Sequence, residues 1–148
     1  AIQKGKKAWQ ENPSSESFVF EVPRTIHQAI TSYYLAMASF ETVGASLEQW
    51  GNLWLRLVWI YEDLGQDELV VKAAEKAQHY FSEAMSTKSR STAGDQALYL
   101  ILGELALRLG DTGEAFRNFR AATTMTGGDP RYKRMASDRI ADLRENRE

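Results

Sequence analysis

Large apolar residues recur at three- and four-residue steps through most of the chain, the period of a helix with one buried face. The stretch from Gln96 to Ala122 shows it best. Tyr99, Leu102, Gly103 and Ala106 make one stripe, and Ala115, Phe119 and Ala122 make another. Between them Gly110 reads as a helix stop, because glycine takes the left-handed backbone without steric cost. Asp111 then caps the next helix, with Glu114 three residues on as its capping-box partner. Gly103 and Ala106 permit close approach, and Phe119 fills the space they leave. The pattern predicts two antiparallel helices joined at a Gly–Asp corner.

The rest of the chain extends this theme. Ala1–Gln10 is a weak helical stretch, Glu11–Ser17 a polar loop, and Phe18–Val22 a short extended segment closed by Pro23. Residues 1–23 thus form an N-terminal section, and 24–148 form the main helical domain. Its helices are expected at about 24–43, 47–64, 66–85, 95–109, 111–126 and 130–145. In the first, Ala29, Tyr33, Ala36 and Phe40 share a face, widened by Ile26, Ile30 and Met37, and Gly44 ends it. Ser46 and Gln49 open the next as a capping box. Trp54, Leu57, Val58 and Tyr61 line that helix, with Gly65 as its corner, and Val70, Ala74 and Ala77 line its successor. Ser86–Asp95 holds no apolar residue larger than alanine and reads as an inserted loop, with Thr92 or Asp95 capping the helix after it. Asp129 and Pro130 restart a helix as N-cap and first helical residue. Tyr132, Met135, Ala136, Ile140 and Leu143 give that last helix one narrow apolar stripe and an otherwise wet surface.

Composition narrows the picture. At 148 residues the chain fits the length of one domain. The formal net charge of −2 lacks the basic surplus that a nucleic-acid or anionic-membrane partner favours, so neither is expected. Lys4, Lys6 and Lys7 read as a solvated face. With no cysteine, disulfides and cysteine-ligated zinc are excluded within these residues, and a reducing, cytoplasmic compartment is expected. No apolar run approaches the ~20 residues needed to span a bilayer. The abrupt opening on a polar helical stretch suggests a piece of a longer protein.

Candidate chemistry is sparse. His27 and His79, the two histidines, lie in different predicted helices. No HExxH, P-loop, GxGxxG or GxSxG stretch occurs. Glu62 and Asp63 are helix neighbours and cannot face one another. No cofactor, metal site or catalytic group is expected.

The order Tyr99, Leu102, Gly103, Ala106, Gly110, Ala115, Phe119, Ala122, Gly127 resembles one tetratricopeptide repeat. Ala106 stands where that family prefers tyrosine, and Gly127 where it prefers proline. The corner glycines Gly65 and Gly110 are 110 − 65 = 45 residues apart. That exceeds the repeat's ~34 residues by about eleven. The segments AITSYYLAMASF, LWLRLVWIYEDLG and YLILGELALRLGDTGEAFRNF also resemble the helical half of an uncharacterised bacterial family. Members of that family join a zinc-ribbon-like N-terminal segment to tetratricopeptide-like helices. The cysteines of such a segment are absent here, so its zinc role does not carry over.

The resemblance implies an all-α fold: antiparallel helix pairs stacked as a right-handed superhelix, closed by a C-terminal capping helix. It also implies a partner-binding groove lined by first helices. The matching positions are Asn52, Leu55, Trp59, Glu62 and Asp63 in one repeat, and Ala97, Leu100, Glu104, Leu107 and Arg108 in the next. Leu55, Trp59, Leu100 and Leu107 are too apolar for free solvation. Either the chain covers them itself, for example through Phe18–Val22, or a second copy covers them in a homodimer, or a protein or peptide partner does. The reading is a non-catalytic protein-interaction module. Its rivals are a structural or oligomerisation domain serving an N-terminal effector, and a small-ligand sensor or enzyme.

Overall fold

A computed structural model describes residue 28 and residues 31–32, 34–39, 46–87 and 89–145. These residues are all-α, with no strand among them. Residues 34–39 are helical, and Met37 is buried there while Leu35 is exposed. The predicted elements at Ala1–Gln10, Glu11–Ser17 and Phe18–Val22, and most of the helix predicted at 24–43, lie outside the described residues. Beyond them come five complete helices: α1 (Leu47–Asp63), α2 (Asp67–Thr87), α3 (Thr92–Arg108), α4 (Thr112–Thr124) and α5 (Pro130–Glu145). The chain divides into two compact units, Ala1–Ala77 and Gln78–Glu148, and the division falls within α2.

In the first unit, the capping box predicted at Ser46 is formed. Gln49 N donates to Ser46 Oγ at 3.2 Å, and Ser46 N donates to Gln49 Oε1 at 2.8 Å. Leu57, Val58, Ile60 and Tyr61 are buried on α1, and Val70, Ala73, Ala74 and Ala77 on α2. The Tyr61 hydroxyl lies 3.0 Å from that of Tyr34. Burial, and then this bond, push the Tyr61 phenol above its ordinary range. The folded state therefore favours the neutral phenol. Its contribution is present at neutral pH and is lost as pH rises above the ordinary tyrosine value of about 10.

The two corners are built alike. After α1, Gln66 N donates to Tyr61 O at 3.0 Å and Gly65 N to Glu62 O at 3.1 Å. After α3, Asp111 N donates to Ala106 O at 2.9 Å and Gly110 N to Leu107 O at 3.1 Å. This paired bonding satisfies helix-end carbonyls and needs a left-handed residue. Gly65 and Gly110 supply it, at φ of 70° and 77°. A Cβ at Gly110 would meet nothing within 4 Å, so the cost of adding one is conformational alone. Gly110→Ala is expected to lower stability by about 1 kcal/mol, read from urea denaturation.

At Asp111 only half of the predicted capping box forms. Glu114 N donates to Asp111 Oδ1 at 3.0 Å, but the Glu114 carboxylate is taken by Arg117, whose Nη2 lies 2.6 Å away. The inserted loop predicted at Ser86–Asp95 is not found either. α2 continues to Thr87 and α3 starts at Thr92, so longer helices absorb most of the surplus residues. Ser91, rather than Thr92 or Asp95, caps α3, accepting from Gly94 N at 3.0 Å. The half-buried Arg90 holds this junction. It donates from Nη2 to Ala84 O at 2.5 Å and from Nη1 to Asp95 Oδ1 at 3.2 Å. One guanidinium thus satisfies the end of α2 and the first turn of α3.

The second unit centres on α3, α4 and α5, which pack pairwise. Its core is Leu100, Ala106, Ala115, Phe119, Ala122 and Ala136, flanked by Tyr99, Leu107, Tyr132, Ile140 and Leu143. Gly103 opposes Phe119 closely enough that a Cβ would fall 2.5 to 2.8 Å from the ring. The large-against-small pairing read from the sequence is therefore present. Gln96 on α3 is fully buried. It donates from Nε2 to Ala122 O at 3.3 Å and accepts Asp129 N at 2.8 Å, joining the end of α4 to the start of α5. Asp129 caps α5 by accepting Arg131 N at 2.9 Å. The Arg131 guanidinium beside it holds its carboxyl below the usual carboxylate range.

Candidate functional site

The predicted groove positions fall in both units. On α1, Asn52, Leu55, Trp59 and Glu62 are spaced three or four residues apart and so share one helix face. Asn52 is exposed, Leu55 is buried, and Trp59, Glu62 and Asp63 are half-buried. This face thus grades from a buried leucine through a half-exposed indole to polar ends. A rigid apolar ring with a polar border suits partner contact.

On α3, Ala97, Leu107 and Arg108 are half-buried and Leu100 is buried. Leu100 belongs to the core, and Leu107 packs against it. Glu104 is held by two arginines. Arg108 Nη1 donates to its Oε1 at 2.6 Å, while Arg139 Nε donates to Oε2 at 2.5 Å and Nη2 to Oε1 at 2.8 Å. Asp142 Oδ2 stands 3.8 Å from Arg139 Nη1. The fork of Arg139 clasps the Glu104 carboxylate in the bidentate geometry that planar guanidinium favours. Arg139 also lies over the Phe119 ring, 6.0 Å from its centroid. Glu104 is therefore engaged by α5 and by Arg108 of its own helix, while Leu100 and Leu107 pack in or against the core. Each such half-exposed pair contributes about 1 kcal/mol or less, so the network orients α5 more than it stabilises it.

Sequence reasoning missed three further features. Gln96 and Arg90 carry no pattern signal: Gln96 bonds backbone atoms 26 and 33 residues further on, and Arg90 bonds Ala84 O and the Asp95 carboxylate across a helix junction whose position the sequence did not show. The third surrounds Phe116 on α4: Arg120 and Arg144 place their guanidiniums over its ring, 6.0 and 5.7 Å from the centroid. An Arg four residues after a Phe on one helix was the available signal for half of this cluster. The other half comes from α5.

Among the described residues, no group of three His, Cys, Asp or Glu side chains could hold a metal ion, and no helix is long and apolar enough to cross a membrane. Every buried side-chain N or O among them has a hydrogen-bond partner. His79 is exposed, 3.5 Å from Glu83 and edge-on to Tyr80; His27 lies outside the described residues.

Residues 2–146 match the family described as uncharacterized protein conserved in bacteria (DUF2225). The chain belongs to this family. No curated protein and no solved structure matches it. The family match covers the described helices of both units, so the corners at Gly65 and Gly110 and the Phe119 core all fall within it.

Proposed function

We propose that the chain is a non-catalytic, cytoplasmic protein-interaction module of tetratricopeptide-like design, with Trp59 as its anchor. The observation that supports this most is the repetition of one device. The same left-handed glycine corner, with the same two hydrogen bonds, joins α1 to α2 and α3 to α4. Repeated helix–corner–helix units are the material of scaffolds that present first-helix faces to a partner. Of the two faces expected to bind, the α3 face is engaged by α5 through Glu104, and the α1 face carries the half-buried Trp59 ring beside the exposed Asn52.

The test is a quantitative pull-down with the full chain and its Trp59→Lys variant, with far-UV circular dichroism checking that the variant folds. Partners recovered by the wild type are expected to fall at least about tenfold in the variant, the scale of losing one interface anchor. An unchanged partner set with the fold intact rejects the reading.

Exposed Leu35, Leu69 and Val71 in the Ala1–Ala77 unit favour one rival, an oligomerisation domain. In sedimentation that rival requires a mass that rises with concentration. A constant monomer mass removes it.

A further inference from the structure

We infer that the edge shared by α4 and α5 is a docking strip for a short acidic peptide segment of a partner protein. On α4, Phe116, Arg120 and Thr123 recur at steps of four and three and share one flank. On α5, Lys133, Ser137 and Arg144 fall within about 40° of one another at 100° per residue. The contact of Arg144 with the Phe116 ring brings these two flanks together. The resulting strip carries Arg120, Arg144 and Lys133.

Its charge is not neutralised locally. Among the described residues, none of Arg120, Lys133 and Arg144 forms an ion pair, whereas Arg90, Arg108, Arg117, Arg131 and Arg139 all do. Asp138, Asp142 and Glu145 lie about 100° or more around α5 from Arg144. Glu114 on α4 is taken by Arg117. A chain of net charge −2 thus keeps three cations together on one edge.

The aromatic ring gives the strip its chemistry. Cation–π contact gathers two guanidiniums at the Phe116 ring and leaves their N–H groups to donate. Such groups suit carboxylates, which accept two parallel bonds from one guanidinium. The strip runs three turns of α5 from Lys133 to Arg144, ~16 Å. That length matches about five residues of extended peptide. The chain's net charge of −2 repels a long polyanion such as a nucleic acid more than a short acidic segment, so charge complementarity on this strip favours the short acidic peptide.

Fluorescence anisotropy with the full chain tests this, using labelled hexaglutamate, hexaglutamine and hexathymidylate as probes at low salt. Hexaglutamate is expected to bind in a salt-sensitive way, and hexaglutamine not to bind. Arg120→Gln/Arg144→Gln should weaken hexaglutamate at least about tenfold, as loss of charge-assisted bonds implies. The charge-matched control Lys72→Gln/Lys76→Gln, both exposed on α2, should leave it unchanged. Trp59→Lys should also retain it, which separates this strip from the α1 surface. The inference is overturned if the wild type fails to bind hexaglutamate. Equal weakening by the α2 control, or tighter binding of hexathymidylate than of hexaglutamate, overturns it as well.

Discussion

Phe119→Ala is expected to cost about 3–5 kcal/mol, the range for removing a fully buried ring from a core. Phe119 is completely buried among Leu100, Ala106, Ala115, Ala122 and Ala136. Most of these neighbours are alanines, which have no side-chain length with which to collapse into the vacancy. The loss should therefore fall toward the upper end of the range. Urea denaturation followed by circular dichroism measures it. The converse substitution tests the same fit from the other side. Gly103→Ala gains helix propensity, worth about 1 kcal/mol. Its Cβ, however, would sit 2.5 to 2.8 Å from the Phe119 ring. A net loss of about 1–3 kcal/mol is expected from overpacking. In a Phe119→Leu background the same change should cost less, because the clashing ring is gone. Equal cost in both backgrounds would show that the ring does not dictate glycine at 103.

Gln96→Leu comes next in expected size, at about 2–4 kcal/mol, although it replaces a polar residue in an apolar setting with an apolar one. Leucine leaves Ala122 O and Asp129 N without the partner that joins them. The unmade bonds, rather than the missing side chain, set the cost. Gln96→Glu separates the two contacts. The carboxylate still accepts from Asp129 N but cannot donate to Ala122 O unless protonated. Burial disfavours its charged form, so its folded-state pKa is raised above the ordinary value of about 4.3. The deficit against wild type should then be smallest near pH 4 and grow as pH rises toward 8. A deficit that does not change with pH would place the amide outside the buried bridge.

The helical class, both glycine corners and the Phe119–Gly103 pairing were legible because each is local or periodic. Gly65 and Gly110 end apolar stripes, and no other side chain tolerates their backbone so cheaply. The start of α5 was equally legible from Asp129 and Pro130. The junction near Ser86–Asp95 was misread because absence of large apolar residues does not prevent helix formation. Thr87 and Ser86 bond back to Glu83 O within α2, and Ser91 offers a cap four residues before Asp95. Of the candidate site, the spacing of Asn52, Leu55, Trp59 and Glu62 on one face was readable. The engagement of Glu104 was not, because Arg139 lies 35 residues further on and only the packing of α5 brings it near. Leu100 was readable as too apolar for water. The residues covering it were not.

The joints of the second unit have a shared property. Asp111 closes α3 and opens α4, Arg90 clasps the end of α2 and the first turn of α3, and Gln96 grips the passage from α4 into α5. Each fastening belongs to both neighbours, so no single helix from α3 to α5 can peel away without breaking the next joint. Opening in this unit should spread along the chain, leaving few places where a protease finds one loosened segment beside an intact remainder.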